Sequence, residues 1–301
     1  MKFCCTLGFV HPDHLVRLAV AAEAAGFETV TIADHVVHPV AIRSRYPYST
    51  DGERGWDHTT PWPDPFVATM AMAAHTTRLR FSQGVFILPM RDPFTVAKAV
   101  GTCARLSGYR VRLGIGLGWM ADEFELLGHP FEERAPRSDE MITVLRKLWT
   151  GELVEHHGRF YDFGPLSMVP GVEQPIPIIV GGVSKPALRR VAALGDGWAP
   201  AGLTIDQVAD ATRQIRADMA GRGRGSDPLE VFAACPDATD LAGYRRMDAA
   251  GISHVVLKPW ARYGKVDRTG VASPAEMEDG IRRFGEEVIA AFPPADAPAH
   301  A

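Results

Sequence analysis

Polar and apolar positions alternate most strictly over residues 110–119, RVRLGIGLGW. In an extended strand Val111, Leu113, Ile115, Leu117 and Trp119 share one face, while Arg112, Gly114, Gly116 and Gly118 share the other. Glycine inside a strand costs about 0.5–1 kcal/mol against alanine, so three on one face call for a reason. Two readings stand: something flat comes close to the backbone, or a closed barrel keeps small residues in its interior. Trp119-Met120-Ala121-Asp122-Glu123-Phe124 follows directly, a polar-aromatic turn into a helix at the carboxyl end of the strand. That end is where α/β folds keep their ligands.

The same patterning extends in both directions. A first strand is expected over 2–9, then a helix from Pro12 with Leu15, Leu18, Ala19 and Ala22 at helical spacing and Gly26 as its stop. A β-branched strand over 28–33 ends at Asp34-His35. Residues 36–63, rich in Pro, Tyr, Arg, Gly and Trp, read as a long binding loop or lid. A helix over 65–75 and a third strand over 78–88, interrupted by Gly84, come next. Another helix starts at Asp92, has a proline in its first turn and closes at Gly108. Beyond the glycine strand, Met141, Val144, Leu145, Leu148 and Trp149 mark an amphipathic helix, and 153–163 a small inserted hairpin around Gly158.

The fifth strand, 177–180, runs into Gly181-Gly182-Val183-Ser184 and a helix carrying Leu188, Val191 and Ala192. Strands over 197–201, 229–234 and 254–258 then alternate with helices over 204–220 and 239–250. The last helix opens with the capping box Ser273-Pro274-Ala275-Glu276 and buries Met277, Ile281, Phe284 and Val288. Residues 293–301 read as a disordered tail. Eight strands alternating with helices predict one α/β domain over 1–292, a (β/α)8 TIM barrel with a hairpin insertion after strand 4. A doubly wound sheet is disfavoured, because no G-x-G-x-x-G follows the first strand.

Composition narrows the function classes. The chain has 301 residues, 46% apolar and 23% charged, enough for a large core. A formal net charge of −4 offers no general surface for polyanions, so nucleic acid is not an expected partner. Cys4, Cys5, Cys103 and Cys235 show no C-x-x-C spacing, so neither a zinc site nor a disulfide framework is expected. No segment has transmembrane length and residues 1–10 carry no basic leader, which points to a cytoplasmic protein without a membrane partner.

Four stretches could carry chemistry. At Gly181–Ser184 a strand meets a helix start, with Ser184 as N-cap and Pro186 in the first turn; unpaired backbone N–H groups there attract anions, phosphate above all. Lys185, Arg189 and Arg190 add positive charge, although a plain serine-capped turn has the same sequence. His35, after the second strand, can relay a proton or hydrogen-bond a substrate oxygen near neutral pH, and adjacent Asp34 points away from it as an orienting or loop-anchoring group. His156 and His157 face opposite sides of a hairpin and cannot chelate together. Tyr46, Tyr48, Trp56, His58 and Trp62 either line a pocket for a flat apolar substrate or form the loop's own small core. No G-x-S-x-G, H-E-x-x-H or P-loop motif occurs.

Together RLGIGLGW with its acidic helix, DPFTVAKA, and PIPIIVGGVSKPALRRVAALGDGW resemble the bacterial luciferase-like flavin and deazaflavin oxidoreductases. ADHVVHP, YPYSTDG and TPWPDPFVATMAMAAHTTRLRF resemble more specifically their F420-dependent branch. The resemblance runs from about residue 8 to 200 and more loosely to 290. It implies a barrel, often dimeric, with the cofactor phosphate at Gly181, Gly182, Val183 and Ser184. The isoalloxazine-like ring would cross the barrel mouth, backed by a bulge with a non-proline cis peptide near Gly84-Val85. Asp34, Gly116, Gly118 and Trp119 complete the expected cofactor-binding set, and His35 matches the active-site histidine. Sugar-phosphate-oxidising relatives place a glutamate where Trp119 stands, which points away from glucose-6-phosphate and toward a flatter, less polar substrate. The expected activity is F420-dependent hydride transfer at deazaflavin C5 with a small organic substrate, in a homodimer without metal. The alternatives are an FMNH2-dependent monooxygenase using O2 with a separate flavin reductase, and a non-catalytic flavin-binding barrel.

Overall fold

In a computed structural model that describes residues 1–292, the strands are β1 (Lys2–Thr6), β2 (Thr29–Ile32), β3 (Arg80–Gln83), β4 (Phe86–Ile87), β5 (Leu113–Gly116), β6 (Val154–His157), β7 (Asp162–Leu166), β8 (Ile178–Gly181), β9 (Gly197–Ala199), β10 (Glu230–Ala233) and β11 (His254–Leu257). The helices are α1 (Pro12–Ala24), α2 (Pro65–Ala73), α3 (Pro93–Leu106), α4 (Ala121–Leu126), α5 (Arg134–Trp149), α6 (Lys185–Leu194), α7 (Ile205–Gly221), α8 (Leu241–Ala249) and α9 (Pro274–Glu287). The expected tail, 293–301, lies outside the described residues.

Alternation sorts the strand residues between two environments. Val30, Ile32, Phe81, Leu113, Ile115, Ile178, Val180, Val231 and Val255 face outward and join the helices in the main core. Cys4, Ile179 and Phe232 form a separate cluster with Ala199 and Val256 inside the ring. The sheet runs β3-β2-β1-β11-β10-β9-β8-β5-β4. β3 and β4 are two halves of one barrel strand, separated by a cis Gly84–Val85 peptide where the resemblance placed one. β4 pairs with β5, and Phe81 of β3 exchanges backbone hydrogen bonds with Arg110 (2.9 Å) and Arg112 (2.8 Å), which completes the ring. The architecture is the expected (β/α)8 barrel. The antiparallel β6–β7 hairpin lies outside it, and α9 starts with the expected capping box.

One expectation changes along β5. The alternation stops at Gly116, because Gly118 has φ +79° and turns the chain. Trp119 therefore leaves the outward row and reaches the barrel mouth. A Cβ at Gly114 would sit 1.9 Å from the Gln83 carbonyl oxygen, and one at Gly116 2.4 Å from Val85 Cγ2. What comes close to these glycines is the chain's own β3–β4 segment, so the barrel-interior reading holds for them.

At the amino end of the strands the barrel is closed by charge. Arg112, 1% exposed, donates to Glu230 Oε2 (2.7 Å), Glu28 Oε1 (2.8 Å) and Thr29 Oγ1 (3.1 Å). His254 stacks on Phe232 beside it, centroids 3.9 Å apart. The four cysteines are buried free thiols. Among the described residues no helix is long and apolar enough to cross a membrane.

Candidate active site

The carboxyl ends of the strands carry the polar groups that the fold leaves available. His35, just past β2, is 8% exposed, and its Nδ1 lies 2.8 Å from Glu123 Oε2. Glu123 sits in the first turn of α4 and is 1% exposed. Its other oxygen accepts the backbone N–H groups of Val36 (2.6 Å) and Val37 (3.2 Å). An ionised carboxylate only accepts, so Nδ1 carries the imidazole proton and Nε2 keeps its lone pair. Among the described residues Nε2 has no hydrogen-bond partner.

Asp122 grips the next part of the loop. It accepts from the Arg43 (3.0 Å) and Ser44 (3.1 Å) backbone N–H groups and from Ser44 Oγ (2.7 Å). Burial alone would raise its pKa, but the Ser44 and Arg43 bonds hold the carboxyl well below the usual range. Two adjacent acids on one short helix thus fix His35 and the start of the loop together. Sequence reasoning did not single out Glu123. The available signal was an acidic pair in the first turn after the glycine strand.

Asp34 was expected to bind cofactor, but its carboxylate is fully engaged within the protein. Its side chain is wholly covered, Oδ2 accepts Ile87 N–H (2.8 Å) and Oδ1 pairs with Arg91 (2.6 Å). Burial raises its pKa, and Arg91 opposes that shift. It anchors β4 and so holds the Gly84–Val85 bulge in the mouth, where Gly84 is exposed and Val85 half-buried. Val85 also fills the space over Gly181, where a Cβ would approach Val85 Cγ1 to 2.9 Å. At Gly118 a Cβ would meet Ile87 (2.7 Å) and Phe124 (2.8 Å). Gly116, Gly118 and Gly181 therefore accommodate the bulge and α4 first.

The helix start at Gly182–Ser184 has the expected form. Gly182, at φ +116°, donates its N–H to Ala199 O (3.3 Å), while its carbonyl accepts Trp198 Nε1–H (2.7 Å). Ser184 Oγ accepts Ala187 N–H (3.3 Å) and caps α6. Val183 and Ser184 are exposed, and their backbone N–H groups have no partner among the described residues. The hydroxyl, having spent a lone pair on the cap, still has its proton to donate. Of the expected cations, Lys185 and Arg189 are exposed, but Arg190 is buried in an ion pair with Asp139 and offers no free charge.

The loop's rings pack on one another and around His35, as the small-core reading expects. Trp62 lies 4.7 Å from His35, centroid to centroid, Trp119 6.1 Å and Trp56 6.3 Å. Tyr46 packs on Trp56 (4.9 Å) and Trp119 (5.2 Å), and Phe9 on Trp56 (5.2 Å) and Trp62 (5.1 Å). Tyr48 is mostly exposed and His58 exposed. The cluster is a core whose inner face carries His35. Lys258, after β11, places its ammonium 4.9 Å from the Phe9 ring centre, and burial lowers its pKa to about 8. His156 pairs with Glu140 and His157 with Asp162, so they do not chelate together. No metal-holding cluster occurs among the described residues.

Known proteins resemble this chain in sequence or in fold. The uncharacterized protein Rv0940c of Mycobacterium tuberculosis is 40% identical over 242 residues, 80% of this chain and 83% of its own. The F420-dependent glucose-6-phosphate dehydrogenase of Nakamurella multipartita is 29% identical over 277 residues, covering 89% of this chain and 74% of that one. The F420-dependent tetrahydromethanopterin reductase of Methanopyrus kandleri has the same fold, with a TM-score of 0.72 at 18% identity over 97% of this chain and 99% of that one. A family model for the luciferase-like monooxygenases matches residues 6–242, from β1 to the start of α8, and with it the chain belongs to that family.

Proposed function

We propose that this chain, an F420- or flavin-dependent oxidoreductase by family, uses coenzyme F420. Its substrate would be a small, flat, largely apolar organic molecule, and the working form a cytoplasmic homodimer. When bound, F420 supplies a hydride-accepting or hydride-donating carbon, C5. The residues present fit such a group. Val183 and Ser184 present two backbone N–H groups that are unpaired among the described residues, and Ser184 a hydroxyl proton, to a phosphate. The bulge at Gly84-Val85 offers a support in the mouth beside them.

The observation that carries the reading is the His35–Glu123 pair. A hydride leaving a carbon next to O–H or N–H requires that group's proton to go elsewhere. Nε2 of His35 accepts it, and Glu123 balances the resulting imidazolium. In the reverse direction the same nitrogen returns the proton. The wall facing His35 is made of Trp56, Trp62 and Trp119, which favours an apolar substrate over a sugar phosphate.

Titration of the purified protein with F420 and with FMN, followed by fluorescence, tests the cofactor. Micromolar binding of F420 is expected. FMN binding without F420 binding overturns the reading and supports the second one, an FMNH2-dependent monooxygenase, which the family model's description favours. Substrate-dependent oxygen consumption with reduced FMN would establish that alternative. Sedimentation velocity checks the dimer.

A further inference from the structure

Residues 36–63 form no helix or strand, yet they reach back over His35. Asp122 and Glu123 hold the first part of this segment. The later part, around Trp56, is tied to the first by Trp56 Nε1–H donating to His38 Nε2 at 3.0 Å. An indole N–H can only donate, so His38 Nε2 must present a lone pair. The imidazole is therefore neutral, with its proton on Nδ1, which faces the Pro39 carbonyl oxygen at 3.3 Å. A proton arriving on Nε2 would set N–H against N–H and break the bond.

We propose that His38 and Trp56 form a proton-operated latch, closed while His38 is neutral and released when it is charged, that holds the aromatic wall against His35. Trp56 is the centre of that wall, in contact with Phe9, Tyr46, Trp62 and Trp119. Its release loosens all four contacts at once. The charges around His38 keep the latch closed near neutrality. Arg54 donates to the Trp56 carbonyl (3.0 Å) and has a buried Nη1 without a partner among the described residues, and the His35 ring, 5.5 Å away, adds its repulsion once it is protonated. Glu123, on α4, acts in the opposite sense. Burial, then Arg54 and His35, leave His38 harder to protonate than a free imidazole. His38 is thus a positioning residue. Its bearing on turnover rests on the proposed role of His35, while the latch itself does not.

Indole N–H spectra of the 15N-labelled, cofactor-free protein test the latch, with the Trp56 signal assigned by W56F. From about pH 8 to about pH 5 the Trp56 proton should shift upfield, with a midpoint below about 6.5. In H38Q, whose side-chain oxygen accepts the same bond and does not titrate, the signal should stay at its bonded position. In H38L it should sit at the acid position throughout. Trp198 and Trp260, bonded to the Gly182 (2.7 Å) and Gly270 (2.8 Å) carbonyls, should stay fixed and so report any global change. A Trp56 signal that is flat in the wild type, titrates in H38Q, or moves only together with Trp198 and Trp260 overturns the proposal. If H38L does not fold, the wild type and H38Q decide between them. Failure of F420 to bind would leave this spectrum unchanged, so the two proposals fail separately.

Discussion

Glu123 gives His35 its direction, and a single atom exchange tests this. Glu123→Gln keeps one oxygen for the Val36 and Val37 N–H groups but turns an amide NH2 toward Nδ1. The imidazole must then carry its proton on Nε2 and can no longer accept one there. Turnover should fall about 100- to 10,000-fold, the range of general acid–base contributions, with cofactor affinity changed only a few-fold. His35→Ala should show the same separation of turnover from binding in steady-state kinetics and titration. A non-catalytic barrel has no turnover to lose. At the anion site, Ser184→Ala removes a hydrogen bond to a charged group, worth roughly 1.5–3 kcal/mol, so the dissociation constant should rise about tenfold or more. The same change removes a helix cap and costs about 0.5–2 kcal/mol of stability. Ser184→Asp separates the two effects: the cap survives, while a carboxylate meets the phosphate and affinity falls further. Wild-type affinity in both variants would reduce the helix start to a capped turn.

The β3–β4 break is the element that shapes the mouth, and it depends on the missing side chains opposite it. Gly116→Ala should cost about 1–3 kcal/mol, the usual range for overpacking, because its Cβ enters the space of Val85. Val85→Ala should recover part of that loss, giving a coupling energy of about 0.5 kcal/mol or more in a denaturation double-mutant cycle. Additive losses would show that the two do not share the space. Strands, helices, hairpin and capping box were legible in the sequence because each follows from periodicity within a dozen residues. His35 was legible because the end of a barrel strand is a place the fold reserves. Glu123 was not, since its meaning comes from a partner 88 positions away. The glycine row stayed ambiguous for the same reason: alternation gives the face, but only the closed ring shows that Val85 lies against it. Arg190 misled in the other direction, counted as free charge until the packing of α6 on α5 placed it beside Asp139.

Across the whole barrel, Arg112 joins the start of β5 to Glu28 before β2 and to Glu230 on β10. Such a buried group is weak evidence of net stabilisation over an apolar core, but removing one partner is costly. Arg112→Met leaves Glu28 with His254 at 3.4 Å and with Lys2 and Arg80, each 3.7 Å away, whereas among the described residues Glu230 keeps only His254 at 4.0 Å. The loss should be about 3–5 kcal/mol at neutral pH, measured by chemical denaturation. Its pH dependence follows from Glu28. Burial would raise that carboxyl, but hydrogen bonding to His254 and the charge of Arg112 hold it well below the ordinary range. A depressed folded-state value means that Glu28 contributes stability in full above its unfolded pKa of about 4.3, and that this is lost as pH falls toward the folded value. Without Arg112 that depression weakens, and protonation relieves the stranded carboxylates instead. The gap between wild type and Arg112→Met should therefore be widest near neutrality and narrow as pH falls through about 4. A gap that is constant with pH would mean that Arg112 acts by filling space and not by its charge.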